Sequence, residues 1–292
     1  MLIPELSQLF TCIADYPSLH ARSSPFWITL DSATRHGFSE LEETFRTSGQ
    51  VEMPEIGVLT FPFYQMGDVS SLDLFGLDEL IIFAFYWRNR NRYKTAVDIG
   101  ANLGLHSIVM SKCGFLVRSF EPDALTFERL VDNLRLNASH TATPVMAAVS
   151  DRNGEARFTR VLDNTTSSHL VGAKANAYGS LEEFTVETCD MLEVIRDVDF
   201  VKIDAEGHEA VLIRRVPLDR WSTLDAIVEI GSAENAHGIW NHLAENKAGV
   251  SVFCQKIGWN IARSLDDLPT SYRDGSVFIS AKTAMPWDIP FE

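Results

Sequence analysis

The 292-residue sequence predicts an αβα domain, a mostly parallel sheet with helices on both faces, preceded by an N-terminal extension. Three observations predict it. From about residue 77, apolar runs of strand length alternate with runs of helical spacing, the pattern of repeated βα units. The stretch VDIGANLGLHSIVM, residues 97–110, begins as an apolar run, breaks at Gly100 and Gly104, and resumes in helical spacing. Near the C-terminus, SVFCQKI and SVFIS are separated by a Gly- and Pro-containing stretch with no clear helix, which predicts a final antiparallel pair.

The elements follow in order. Residues 1–75 are irregular in pattern, with Pro4, Pro17, Pro25, Pro54 and Pro62 interrupting short helical pieces. They are expected to cap or extend the domain at 76–292, or to form an interface on it. LDELIIFAFYWRN (77–89) reads as a helix. Strands are expected at 95–99, 116–120, 143–149, 198–203, 224–230, 251–257 and 276–280. Helices are expected at 104–112 and 123–136, the second opening at Asp123 after Pro122. EARFTRV (155–161) and EEFTVET (182–188) read as an added β excursion joined by a polar loop.

Composition bounds the partners. A hydrophobic share of 46% and a charged share of 22% belong to a globular protein. A net charge of −15 repels a phosphate backbone, so no nucleic-acid partner is expected. Cys12, Cys113, Cys189 and Cys254 lie far apart without a C-x-x-C spacing, which argues for free thiols and against a zinc site. MLIPELSQLF shows no basic stretch followed by an apolar one, and LIIFAFYW (80–87) is too short to span a bilayer. A cytoplasmic protein without membrane insertion is expected, and assembly of identical copies stays open.

Two glycines within five residues are costly unless the backbone turns tightly or something approaches it closely. In an open α/β sheet, ligands bind beyond the carboxyl ends of the strands, where strand order reverses. The spacing here is G-x-x-x-G with Asn102 between, unlike the G-x-G-x-x-G of dinucleotide sites. Asp98 stands two residues before Gly100. A carboxylate there repels a pyrophosphate and suits an amino group or a sulfonium. Glu121, at the end of the second strand in SFEPD, can accept both hydroxyls of a ribose. The series acid, glycine turn, acid describes S-adenosylmethionine better than NAD.

With these residues the sequence resembles the FkbM-type methyltransferases, within the class I S-adenosylmethionine-dependent enzymes. The resemblance rests on VDIGANLGLHS, FEPDALTFERLVDNLRLN, AAVSDRNGEARF and VKIDAEGHEAVL followed by IVEIG, in order over residues 95–231. It implies a Rossmann-like, seven-stranded class I methyltransferase sheet with its last strand antiparallel. It also implies methyl transfer, typically onto a hydroxyl of a sugar, polyketide or other secondary-metabolite scaffold. The cofactor residues expected are Asp98, Gly100, Asn102, Gly104, Glu121, Pro122, Val149 and Asp204.

A second acidic cluster, VKIDAEGHEA at 201–210, ends the fourth strand at the same crevice. An attacking alcohol must lose a proton, and His208 has an ordinary pKa near ~6.5, which makes it the natural base. Asp204 or Glu206 would orient it or replace it. Lys202 is expected to be buried against a carboxylate, and Glu209 to lie on the helix surface or pair with Arg214 or Arg215. A hard cation is an alternative use of the cluster, although the resemblance requires no metal. His106, Glu229, and Asn164 and Ser167 in the loop DNTTSSHL (163–170), are the expected acceptor contacts. FPFYQMGDVSS (61–71) either roofs the cofactor or packs on the sheet.

The leading expectation is therefore an O-methyltransferase acting on a small-molecule or glycan acceptor. An N-methyltransferase, an NAD-dependent oxidoreductase and a non-catalytic cofactor-binding protein are the alternatives.

Overall fold

The computed structural model describes residues 4–53, 55–67, 69–162, 164–174, 180–245 and 249–287. The chain opens with helices α1 (Pro4–Asp15) and α2 (Pro25–Ser48), then the hairpins β1 (Gln50–Met53)–β2 (Gly57–Thr60) and β3 (Gln65–Met66)–β4 (Val69–Ser70), then α3 (Leu77–Arg88). The domain continues as β5 (Thr95–Ile99), α4 (Leu105–Lys112), β6 (Leu116–Phe120), α5 (Ala124–Leu136) and β7 (Ala142–Val145). An excursion follows, made of β8 (Ala148–Ser150), β9 (Gly154–Val161), β10 (His169–Leu170) and β11 (Leu181–Asp190). The remaining elements are α6 (Met191–Val194), β12 (Phe200–Ile203), α7 (Glu209–Arg215), β13 (Asp225–Glu229), α8 (Ala233–Glu245), β14 (Ser251–Cys254), β15 (Asn260–Ile261) and β16 (Ser276–Ser280).

The main sheet runs β15-β14-β16-β13-β12-β5-β6-β7. Its seven longer strands are those expected, with β15 added at the edge. β13, β12, β5, β6 and β7 pair in parallel, and β16 lies antiparallel between β13 and β14. This order, with its last strand antiparallel, is the one that the sequence resemblance implies. Strand order reverses at β5, between β12 and β6, so the crevice for a ligand opens above these three strand ends.

Two expectations are corrected. The run 143–149 is two strands: β7 pairs with β6 in the main sheet, and β8 pairs in parallel with β11 in the excursion. Pro144 has no N–H to donate and so fits β7 as an edge strand. The prolines do not keep the extension to short helical pieces. Pro25 starts a 24-residue helix at its first turn, where a missing N–H costs nothing, and Ser24 caps it by accepting the Trp27 N–H at 3.0 Å.

Strand alternation sorts the core into two layers. Val97, Val201 and Val228 face one layer with α6, α7 and α8; Ala96, Phe200 and Ile227 face the other with α3, α4 and α5. Phe10, Ile13, Phe45 and Phe61 of the extension join that second layer, so the extension and the sheet bury their apolar faces against each other. The same period of two turns Asp98, Lys202 and Glu229 toward the extension.

Candidate active site

Two cavities lie at the strand ends, one lined by Asp204 and the other by Lys202. The first lies between Gly100, Asn102, Glu121, Pro122, Val149 and Asp204. Its other wall comes from the excursion, through Thr166, Ser168 and His169. Arg160 of β9 clamps that wall, binding Asp123 at 2.5 and 2.7 Å, and Asp123 caps α5 beside Glu121.

The turn after β5 shows why glycine stands at 100. A Cβ there would lie 1.8 Å from the Asp204 carbonyl oxygen, at a φ of +75°. Asp204 N–H donates to Ile99 O at 3.1 Å, so the turns after β5 and β12 are pressed together. Gly104 has a φ of +88° and packs against Leu130, whose Cδ1 would sit 2.4 Å from a Cβ. Gly104 does not line the cavity; it seats α4 on α5.

Glu121 is buried, and its two oxygens accept the N–H of Asn102 at 3.0 Å and of Asp123 at 2.9 Å. Burial is the main force pushing its carboxyl up to about 8, opposed by these two donors. Each oxygen keeps room for another donor. Asp98 does not line the first cavity. It is fully buried, its Oδ2 accepts the Ser107 hydroxyl at 2.6 Å, and its Oδ1 lies 3.9 Å from Lys202 Nζ with no hydrogen bond. These features fit S-adenosylmethionine. The Glu121 carboxylate offers ribose contacts, and the turns after β5 and β12, locked together at Gly100 and Asp204, form the adjoining wall of the same cavity.

His208 and Glu206 also line the first cavity. His208 Nε2 lies 3.1 Å from Ser150 Oγ, and burial lowers its pKa. Glu206 pairs with Lys174, and burial with the neighbouring Asp204 pushes it up to about 7. Glu209 is not on the helix surface. It is 1% exposed and accepts the N–H of Ala205 at 3.0 Å and of Gly207 at 2.9 Å, satisfying donors of the turn that would otherwise be orphaned. Arg215 binds Asp190 instead, at 2.7 Å. Asn164 and Ser167 bond to each other at 3.2 Å, while Thr166 and Ser168 line the cavity. Asp163 lies outside the described residues.

The second cavity, of about 260 Å³, lies under the extension and contains two expected acceptor contacts, His106 and Glu229. Both ring nitrogens of His106 are engaged, Nε2 by Glu79 at 2.7 Å and Nδ1 by the Tyr86 hydroxyl at 2.9 Å. Lys202 binds Asp204 at 3.1 Å and links the two cavities. Burial opposes its charge, but Asp204, Asp98, Glu79 and Glu229 outweigh burial and raise its pKa. Glu229 has no hydrogen bond or ion pair of its own among the described residues; burial, Asp204 and Glu79 push its carboxyl well above the usual range. The sequence reading missed the other walls: Arg22, Trp27, Asp31, Arg35, Asp73, Asp78 and Glu79 from the extension and α3, and Tyr272 before β16. The acids at 78 and 79 carried one signal, but it is also the ordinary signal of a helix N-terminus. Among the described residues, no group of three or more metal-ligating side chains could hold an ion, and no helix is long and apolar enough to cross a membrane.

Comparison with known proteins bears on the chemistry. A hexuronic acid methyltransferase, AglP of Haloferax volcanii, is 27% identical over 157 residues, covering 53% of this chain and 63% of that protein. This chain thus matches less than two thirds of the relative's length. Among solved structures, the methyltransferase FkbM from Methylobacillus flagellatus is 14% identical, covering 71% of this chain and 52% of that one, at a TM-score of 0.38. An O-methyltransferase from Bacillus cereus in complex with SAH is 11% identical, covering 68% and 77%, at 0.37. Residues 98–247 match the methyltransferase FkbM domain family. That segment is about half of the chain and carries the glycine turn, Glu121 and Asp204, so the chain belongs to the FkbM methyltransferases, which use S-adenosylmethionine as methyl donor.

Proposed function

We propose that the protein methylates an oxygen of a small-molecule or glycan acceptor. The observation carrying this reading is the pair Lys202–Asp204, 3.1 Å apart, in which Asp204 lines a cavity suited to the donor and Lys202 lines a separate polar one. When bound, S-adenosylmethionine supplies an electrophilic methyl group on sulfur. Glu121 would hold the ribose, and the Gly100 turn would pass beneath the ligand. Displacement at the methyl carbon needs acceptor oxygen, carbon and sulfur in line, so the walls of both cavities act by alignment.

An alcohol also needs a base. His208, Glu206 and Asp204 all line the donor cavity, and of the three only Asp204 touches Lys202. Glu229 lines the acceptor cavity, and its carboxyl is held well above the usual range by burial, Asp204 and Glu79. A carboxylate poised in that way is suited to take the hydroxyl proton as the oxygen–carbon bond forms. The hexuronic acid named for the relative supports a sugar-type acceptor.

The test is methyl-labelled S-adenosylmethionine incubated with a panel of glycosides and small alcohols, read by transfer of label. Calorimetry with S-adenosylhomocysteine runs alongside. Label appearing on an acceptor oxygen supports the reading; failure to bind the homocysteine product would sink it.

A further inference from the structure

We propose, resting on the methyl-transfer reading above, that the acceptor is a polyhydroxylated molecule without negative charge, and that the second cavity selects it against acidic sugars. Every cation in the walls already has a carboxylate. Arg22 is paired with Asp78, Arg35 with Asp31 at 2.8 Å, and Lys202 with Asp204 at 3.1 Å. The acids are not all matched in return. Asp73 is held only by Ser70, through its N–H and hydroxyl, and Glu229 by no side chain among the described residues. The surplus charge of the cavity is negative.

A uronate entering this space would lose water without gaining a free cation, and would face Glu229 and Asp73. A sugar hydroxyl meets no such obstacle, since it both donates and accepts. The cavity offers the complementary groups: Glu229 as an unused acceptor, and the Nε–H of Arg22, buried without a partner, as an unused donor. Tyr272, exposed in the same walls, gives a flat apolar face for the C–H side of a ring. Apart from Lys202, Asp204 and Glu229, the residues named here fall outside the segment 98–247 shared with the family. The selection therefore belongs to this chain and does not follow from the acid sugar named for its relative.

The experiment is saturation-transfer NMR on the full chain in the presence of S-adenosylhomocysteine, with methyl glucopyranoside and the corresponding uronic acid as probes. The neutral glycoside should receive saturation, with the uronate weaker by roughly tenfold or more. Asp31→Asn, which frees Arg35, and Glu229→Gln, which removes the unmatched acid, should each raise the uronate signal. Equal or stronger binding of the uronate to the unaltered protein overturns the proposal. So does the absence of signal from both probes when calorimetry shows normal S-adenosylhomocysteine binding. If S-adenosylhomocysteine itself does not bind, the methyl-transfer reading falls first and takes this inference with it.

Discussion

The Cα of Gly100 lies so close to the Asp204 carbonyl oxygen that a Cβ would stand 1.8 Å from it. The obstacle is backbone of the neighbouring turn, so it cannot swing aside. Gly100→Ala should therefore destabilise the fold on the order of 3 kcal/mol or more, from overpacking plus left-handed strain, and abolish S-adenosylhomocysteine binding. Gly104→Ala meets the tip of Leu130 instead and should cost about 1–2 kcal/mol with affinity largely kept. Denaturant unfolding and calorimetry on the two variants check the contrast.

Glu121→Ala should weaken binding of the donor or its product by about 1.5–3 kcal/mol, the usual worth of hydrogen bonds to a charged group, when measured above the raised midpoint of about 8 where the carboxylate is ionised. Titration calorimetry with S-adenosylhomocysteine measures it. An unchanged dissociation constant would remove Glu121 from the donor site.

Variants at Glu229 and His208 separate two of the candidate bases. With Glu229 as base, turnover should rise with pH through a midpoint well above the ordinary carboxylate value, because only the ionised form accepts the proton. Glu229→Gln should lower turnover by roughly 10²–10⁴-fold and flatten that profile. His208→Ala should leave it in place. The reverse outcome moves the proton transfer to His208.

His20 supplies a pH dependence of stability. Its Nε2 lies 2.9 Å from Ile13 O and its Nδ1 accepts the Trp259 indole N–H at 2.9 Å. A proton on each nitrogen would leave that indole without an acceptor. Burial is the main cause that lowers its pKa to about 4. The folded pKa is depressed, so this contribution is complete above the unfolded value near ~6.5 and is lost as pH falls toward about 4. The loss amounts to about 3 kcal/mol. Unfolding midpoints measured across this range should fall on the acid side in the wild type, and fall less in His20→Gln.

The sequence made the sheet and the donor side readable because both are local in the chain. TAVDI, LVRSF and SVFIS coincide with their strands, and Glu121 and Asp204 follow directly from strand ends. The direction of a side chain at such an end is less readable. Asp98 and Glu229 both sit where the crevice begins, yet alternation turns them toward the extension, away from the cavity that holds Glu121. The acceptor side was largely hidden. Arg22, Asp31 and Arg35 are polar residues on or beside a helix, and nothing in their spacing distinguishes a solvated face from one that roofs a cavity. Glu209 failed as a surface residue because its partners are backbone N–H groups, which leave no pattern in the sequence.

The contact between Gly100 and Asp204 also bears on how such an enzyme can change its work. It ties the floor of the donor site into one rigid piece, contributed by the segment the family shares. The roof over the acceptor comes from other parts of the chain and meets that floor mainly through packing and a few charged pairs. A scaffold divided in this way can exchange its roof, by recombination or by design, and acquire a new acceptor while its use of the methyl donor stays untouched.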